Sequence, residues 1–331
     1  MHKFLIKLLL YTFIIAVLGY GIIYISLIIR PEKMLGSSNE YALWMYKKKM
    51  INTPDHTKKN VIIGDSRSMM GLNPLIIGHN FINLSLTGTT AFEGYSTLKQ
   101  FLAHHQIDTL IVSYGLLHYI ESDILDKWTF PFTLPSIEDV NTLEKLERQY
   151  GITIDNQKPG YWLYLKRKAA YYHIPIVFRS TFIENFKQAG FSKAVMYQLK
   201  GTAGFSNVST EDSCNLTDTE VEIEQKSKML IINPVIACYI DSICKLSAKE
   251  GTKVIFLIPP INKASYVVLQ NTLFFRQYQS FKENLKIRYP EMIIDNKHLY
   301  LPNRYFHDSS HLNQRGAIFF SNYIKGEMKN Y

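Results

Sequence analysis

The chain has 331 residues, of which 47% are hydrophobic, so it is long and apolar enough to bury a sizeable core. This composition excludes disorder on the scale of a whole domain. The three cysteines show no metal-like pair spacing, and their odd number leaves at least one thiol outside any intramolecular disulfide. A disulfide scaffold is therefore excluded as well.

Most of the formal net charge of +9 comes from the amino-terminal part of the chain. Residues 1–59 carry nine Lys or Arg residues against three acidic residues. Nucleic-acid binding needs basic residues clustered on a folded face, whereas these basic residues flank an apolar segment. We therefore expect no nucleic-acid partner.

That apolar segment, residues 8–29, is uncharged and about long enough to cross a bilayer as a helix. A cleaved signal peptide normally has a shorter apolar region followed by small residues, but this run ends in the bulky Leu27–Arg30. We therefore expect residues 1–30 to be a cytoplasmic tip and an uncleaved, single-pass cell-membrane anchor. The short basic amino terminus favours an extracytoplasmic domain, although basic residues also follow the run.

Residues 31–59 are expected to link this anchor to a domain that spans residues 60–331. Within the linker, Tyr41–Met50 combines aromatic residues with lysines. Two interpretations of this segment remain open: a helix that lies along a lipid surface, or a solvated linker helix.

Beyond residue 59, short apolar runs alternate with helical periodicity, which predicts an α/β fold with a parallel sheet and right-handed crossovers. The predicted strands are residues 60–63, 81–84, 109–113, 253–258 and 292–294. The predicted helices are residues 91–104, 231–250, 272–288 and 313–328. Residues 118–230 interrupt the alternation and are interpreted as an insertion, with helices at 137–149, 161–172 and 181–199 and a polar loop at 201–219.

A serine follows the first predicted strand directly, in the sequence Gly64-Asp65-Ser66. In open α/β sheets the carboxyl ends of the strands carry the functional site, and this is where a nucleophile belongs. The three residues also favour an ordinary turn, so the tripeptide alone does not identify a nucleophile.

A second motif, Asp308-Ser309-Ser310-His311, precedes the last predicted helix. A serine hydroxyl becomes a good nucleophile when a base removes its proton, and the base works best when an acceptor holds its other ring nitrogen. Ser66, His311 and Asp308 supply these three roles. The motif is also compatible with a helix-entry turn, and His298 and His307 are competing candidates for the base.

With both motifs in view, the chain resembles the SGNH, or GDSL-like, hydrolase superfamily over residues 60–115 and 231–328. Gly64-Asp65-Ser66 is similar to its nucleophile block, Asn83–Gly88 to its second block, and Asp308–His311 to its last block. The resemblance implies a flavodoxin-like sheet of about five parallel strands with helices on both faces. It also implies that the amides of Ser66 and Gly88 form the oxyanion hole.

The third block departs from the family pattern. The pattern Gly-x-Asn-Asp provides an asparagine that donates to the oxyanion, but this chain has Gly115-Leu116-Leu117-His118. Leu117 has no hydrogen-bond donor in its side chain. His118 and Ser113 are candidates for partial replacement of that donor.

The anchor, the altered third block and the insertion resemble proteins that transfer acyl groups to bacterial envelope polymers beside a membrane-bound O-acyltransferase. We therefore expect a serine O-acyltransferase that acts on an envelope polysaccharide, such as one that is O-acetylated, and needs neither a cofactor nor a metal. An acyl esterase with the same triad and a non-catalytic glycan-binding or partner-binding module remain as alternatives. Arg67, His118 and Trp162 are candidate substrate-binding residues, although the aromatic residues around Trp162 more often fill a small core.

Overall fold

The computed structural model describes residues 2–29, 39–55, 57–122, 125, 129, 134–154, 199–206, 231–294 and 300–329. The helices, in chain order, are α1 (His2–Ile29), α2 (Asn39–Asn52), α3 (Ser66–Gly71), α4 (Pro74–Ile77), α5 (Ala91–Leu102), α6 (Ile137–Tyr150), α7 (Pro234–Lys249), α8 (Lys263–Leu269), α9 (Leu273–Arg288) and α10 (Gln314–Met328). The strands are β1 (Lys59–Gly64), β2 (Phe81–Asn83), β3 (Ile107–Ser113), β4 (Lys253–Leu257), β5 (Ile261–Asn262), β6 (Ile293–Ile294) and β7 (Tyr300–Leu301).

Five of these strands form one parallel sheet in the order β2-β1-β3-β4-β6. The chain enters the sheet at β1, turns to the edge strand β2, and returns to the other side of β1 with β3. In such a sheet, a ligand site is expected outside the carboxyl ends of the strands where this reversal occurs. Gly64 at the end of β1 pairs with Ser113 at the end of β3, so both loops begin at the same level.

Helices cover both faces of the sheet. Val61 and Ile63 of β1 belong to the core cluster that includes Phe92 of α5, whereas Ile62 belongs to a second cluster with Phe320 of α10. Successive strand residues point to opposite faces, so an apolar run such as Val61–Ile63 serves both cores. The expected α/β architecture with a five-stranded parallel sheet is confirmed.

Helix α2, which lies within the segment expected to be a juxtamembrane linker, is packed into the domain. In α2, Trp44 is 2% exposed and Lys47 is 0% exposed, and Leu43, Trp44 and Ile51 belong to the main core cluster. Both interpretations of this segment, a helix on a lipid surface and a solvated linker helix, are therefore wrong. Burial of these apolar side chains outweighs the polar character of the neighbouring lysines.

Helix α1 contains the expected anchor segment. Residues Lys3–Ile22 have a mean hydropathy of 2.1 and none of this window is buried in the protein, so the helix is long and apolar enough to span a membrane. Helix α6 matches the first helix predicted within the insertion, at residues 137–149. Trp162 lies outside the described residues. So do the two further predicted helices, at 161–172 and at 181–199 apart from Leu199, and most of the predicted loop at 201–219.

Candidate active site

The first part of the site is the turn that joins β1 to α3. A side chain at Gly64 would place its Cβ 1.9 Å from the carbonyl oxygen of Ser113, so only glycine allows β1 and β3 to approach here. Asp65 then caps α3 by accepting hydrogen bonds from the amides of Arg67 and Ser68. Ser66 follows as the first residue of the helix and is 8% exposed.

The structure brings together the three residues that the two sequence motifs supply. Ser66 Oγ lies 2.8 Å from His311 Nε2, and His311 Nδ1 lies 2.9 Å from Asp308 Oδ2. Because the Asp308 carboxylate accepts a hydrogen bond from Nδ1–H, Nε2 is left as an acceptor for the Ser66 hydroxyl proton. The arrangement is that of a hydroxyl, a base and a group that orients the base.

Backbone contacts fix the loop that carries Asp308 and His311. Phe306 and Leu312 form an isolated antiparallel bridge across its base, and the His307 amide donates to the His311 carbonyl oxygen at 2.7 Å. Asn262, at the start of α8, donates its side-chain amide to Ser309 O at 2.8 Å. His311, and not the competing candidate His307, contacts Ser66, while His298 lies outside the described residues.

The environment of Asp308 favours its charged form. Partial burial alone would raise the pKa of Asp308, but the hydrogen bond and charge of His311 and the amides of Ser310 and His311 together hold the pKa well below its ordinary value. The carboxylate is therefore ionised at neutral pH, which is the state that orients the imidazole and stabilises its protonated form.

Gly88, the expected second donor of the oxyanion hole, lies in a turn beside the nucleophile. Gly88 has φ 70°, a conformation that favours glycine, and occupies the third position of the turn Leu86–Thr89. The carbonyl oxygen of Gly64 holds this turn, since it accepts hydrogen bonds from the Leu86 amide at 3.0 Å and from Thr89 Oγ1 at 2.9 Å. Within the described part of the chain, the amides of Ser66 and Gly88 donate no hydrogen bond to another protein group.

The third block connects to Asp65 rather than to the space above Ser66. Asp65 Oδ2 accepts from the Gly115 amide at 2.7 Å and lies 3.2 Å from His118 Nε2. His118 Nε2 is therefore engaged by Asp65, and Ser113 is fully buried at the end of β3. That either residue partly replaces the donor that Leu117 lacks stays a prediction.

Arg67 has a packing role at the same place. Its side chain is 5% exposed, and a Cβ at Gly115 would lie 2.8 Å from Arg67 Cζ. The guanidinium therefore lies against the backbone of the third block, and little of the side chain is accessible. The expectation that Arg67 binds substrate stays a prediction.

Sequence reasoning missed two polar residues that hold the site together. Asp65 accepts hydrogen bonds from both the nucleophile turn and the third block. Asn83, fully buried at the end of β2, donates to Ser68 O at 3.0 Å and to Leu72 O at 2.9 Å. The position of Asp65 directly before a short helix was the available signal, because aspartate is a preferred N-cap residue.

Comparison with known proteins adds no relative to this picture: no protein-family model matches the chain, and no curated protein matches it.

Proposed function

We propose that this chain is a membrane-anchored serine O-acyltransferase of the SGNH type that modifies a cell-envelope polysaccharide. The observation that carries the proposal is the contact of 2.8 Å between Ser66 Oγ and His311 Nε2, with Asp308 on the other ring nitrogen. The position of this contact at the carboxyl ends of parallel strands supports it. So does the strand order of the main sheet, which counted along the chain is 2-1-3-4-5, the flavodoxin-like order that the resemblance implies.

The first half-reaction forms an acyl-serine. Ser66 Oγ attacks the carbonyl carbon of an acyl donor while its proton moves to His311 Nε2. The bond between the acyl carbon and the leaving group then breaks, and the leaving group takes the proton from Nε2. Asp308 keeps Nδ1 protonated throughout and stabilises the imidazolium that forms between these steps.

The second half-reaction transfers the acyl group. A hydroxyl group of the polysaccharide gives its proton to His311 Nε2 and attacks the acyl carbon. The ester bond to Ser66 Oγ breaks, and Oγ regains the proton from Nε2, which restores the starting state. Water in place of the polysaccharide hydroxyl would make the same residues an esterase.

The oxyanion hole in this proposal consists of the backbone amides of Ser66 and Gly88. Support comes from the turn that fastens Gly88 to Gly64, two residues before the nucleophile. The side chain of Leu117 contributes no donor, and the loss of one such donor typically costs about 3 kcal/mol, roughly a hundredfold or more in rate. A slow enzyme that works on a donor delivered to it fits this site better than a general esterase does.

The cellular setting is part of the same proposal. Helix α1 would hold the domain at the outer side of the cell membrane, where it would meet the polysaccharide and a membrane-bound O-acyltransferase that supplies the acyl group. The support is the apolar window Lys3–Ile22 with its short basic start. No metal or cofactor enters either half-reaction.

A serine-reactive fluorophosphonate tests the nucleophile. We expect it to label the wild-type chain at Ser66, to fail on Ser66→Ala, and to label Ser242→Ala as it labels the wild type, because Ser242 donates to Cys238 O within α7 and is not part of the triad. Absence of labelling in the wild type, together with normal envelope acylation in cells that carry Ser66→Ala, would favour the non-catalytic binding module.

The acyl content of the polysaccharide separates transfer from hydrolysis. A transferase predicts fewer acyl groups on the polymer when the chain is lost, and an esterase predicts more. Both results require Ser66, so each must be reproduced by Ser66→Ala.

A further inference from the structure

Helix α2 contacts the loop that carries Gly88 through its first turn. In its first turn, Glu40 Oε1 accepts a hydrogen bond from Thr87 Oγ1 at 3.1 Å. Thr87 immediately precedes Gly88 in the turn Leu86–Thr89. The turn is thus held from β1 through Gly64 O and from α2 through Glu40.

A second contact reaches the start of the same loop. Lys47 is fully buried, and its Nζ donates to the carbonyl oxygens of Asn83 and of Gly204, the latter at 2.8 Å. Burial lowers the pKa of Lys47 well below its ordinary value, so the charged form is disfavoured at this position. A leucine at this position would leave the two buried carbonyl oxygens without this donor, so the contact depends on the lysine amine.

Asn83 connects the Lys47 contact to the helix that carries Ser66. Its side-chain amide donates to Ser68 O and Leu72 O, which belong to the helix that Ser66 begins and to its carboxyl cap. Its side-chain oxygen accepts from the Ser85 amide at 3.0 Å, at the beginning of the loop that leads to Gly88. One buried residue therefore joins α2, the nucleophile helix and the Gly88 loop.

The remainder of α2 is firmly docked. Leu43, Trp44 and Ile51 lie in the main core, and Ile51 O lies 3.1 Å from the ring Nε2 of His105, a residue that is itself 8% exposed. The contacts of Glu40 and Lys47 are consequently made by a helix with a fixed position. These contacts hold the loop in a fixed position as well.

We infer that α2 is a working part of the active site, in which Glu40 and Lys47 are positioning residues that hold the Gly88 turn in the geometry needed to bind the oxyanion. The inference rests on the proposed function. According to this inference, α2, which lies between the apolar helix α1 and the sheet, affects the reaction rate in addition to tethering the domain.

The test compares two substitutions of Thr87 in the full chain. Thr87→Val keeps the shape of the side chain but removes the hydrogen bond to Glu40, whereas Thr87→Ser keeps the hydroxyl. We expect Thr87→Val to slow fluorophosphonate labelling of Ser66 about tenfold, less than the loss of a whole oxyanion donor. We expect Thr87→Ser to stay close to the wild-type rate, and Glu40→Ala to slow labelling like Thr87→Val without adding to it in the double variant.

A control separates positioning from general stability. Ile240→Val removes one methylene from a buried position of α7 and changes no hydrogen-bonding group, so it should lower the melting temperature without slowing labelling at a temperature where the protein is folded. With an ester substrate, Thr87→Val should lower kcat and leave KM unchanged. Equal labelling rates for Thr87→Val and the wild type would overturn the inference, as would a rate loss in Ile240→Val that matches that of Thr87→Val. An unlabelled wild type would instead count against the proposed function itself.

Discussion

Two aspartates of the candidate site differ in environment and therefore in role. Asp65 is fully buried and accepts from the amides of Arg67, Ser68 and Gly115, so it fixes the relative position of two loops. Asp308 is about half exposed and is directed at His311. Asp65 thus holds the architecture of the site, and Asp308 sets the tautomer of His311.

Asp308→Asn should leave the geometry largely intact and remove most of the activity. An asparagine side chain at this position can donate to Nδ1, which favours the tautomer whose Nε2 carries a proton and cannot accept one from Ser66. We expect the rate of Ser66 acylation to fall by about three to four orders of magnitude, measured by single-turnover kinetics. A loss of less than about tenfold would show that Asp308 does not set the tautomer.

The same variant has a defined pH signature in stability. Because the pKa of Asp308 is lower in the folded chain than its unfolded value of about 3.9, its contribution to stability is present above that pH and declines as the pH falls below it. Urea unfolding should therefore show the wild type to be more stable than Asp308→Asn at neutral pH, with a smaller difference at about pH 3. A difference that grows on acidification would contradict the assigned charge state.

At this scale the sequence identified the three residues that the fold brings into contact but not the residues that hold them. Ser66, Asp308 and His311 belong to motifs of three or four neighbouring residues, which can be read locally. The contact between Asp65 and Gly115 joins residues 50 positions apart, and the residues around one give no indication of the other. The same holds for Thr87 and Glu40, which are 47 positions apart.

Among the elements, the contact between β1 and β3 leaves no room for a side chain at Gly64. Gly64→Ala would place a methyl group 1.9 Å from Ser113 O, and the backbone of neither strand can move away without breaking the sheet. We expect Gly64→Ala to reduce the free energy of unfolding by at least about 3 kcal/mol in urea titrations.

Gly326→Ala is the matched control for that substitution. Gly326 lies on an exposed position of α10, where an added methyl group would meet no atom within 4 Å, so alanine should stabilise the helix by about 0.5 to 1 kcal/mol. If Gly64→Ala and Gly326→Ala change stability by similar amounts, the close approach of the two strands is not a constraint.

Elements with a strong local signal were predicted nearly to their ends, and elements defined by distant contacts were not. Thr272 and Asn313 cap α9 and α10, and each stands at the predicted start of its helix. The short pairing of β5 with β7 was not predicted, because two-residue strands carry no periodicity. The docking of α2 was missed because Lys47 reads as a solvated residue until its buried carbonyl partners are known.

At the scale of the whole molecule, the chain combines an apolar helix, a docked helix and a sheet that carries the candidate site at the carboxyl ends of its strands. The α/β architecture followed from alternating patterns along the chain, whereas the docked position of α2 required the fold. Since α2 contacts the Gly88 loop, only residues 30–38 separate α1, which is apolar enough to span a membrane, from the folded domain. If α1 spans the membrane as proposed, the site stays within a short length of chain from it.

The orientation of the domain is directly testable. The short basic amino terminus before α1 favours its retention in the cytoplasm, so we predict that the domain lies outside. Protease added to intact cells or spheroplasts should digest the domain, while a cytoplasmic marker protein stays intact. Full protection of the domain under these conditions would reverse the proposed orientation.

The acyl-serine intermediate can be sought in the mass of the peptide that contains Ser66, isolated from membranes in which the acyl donor is present and the acceptor polysaccharide is depleted. We predict a fraction of this peptide heavier by one acyl group, sensitive to hydroxylamine, absent in Ser66→Ala and lost again when the polysaccharide is restored. An unmodified peptide under these conditions, with polysaccharide acylation unchanged in cells that carry Ser66→Ala, would contradict the acyl-serine mechanism.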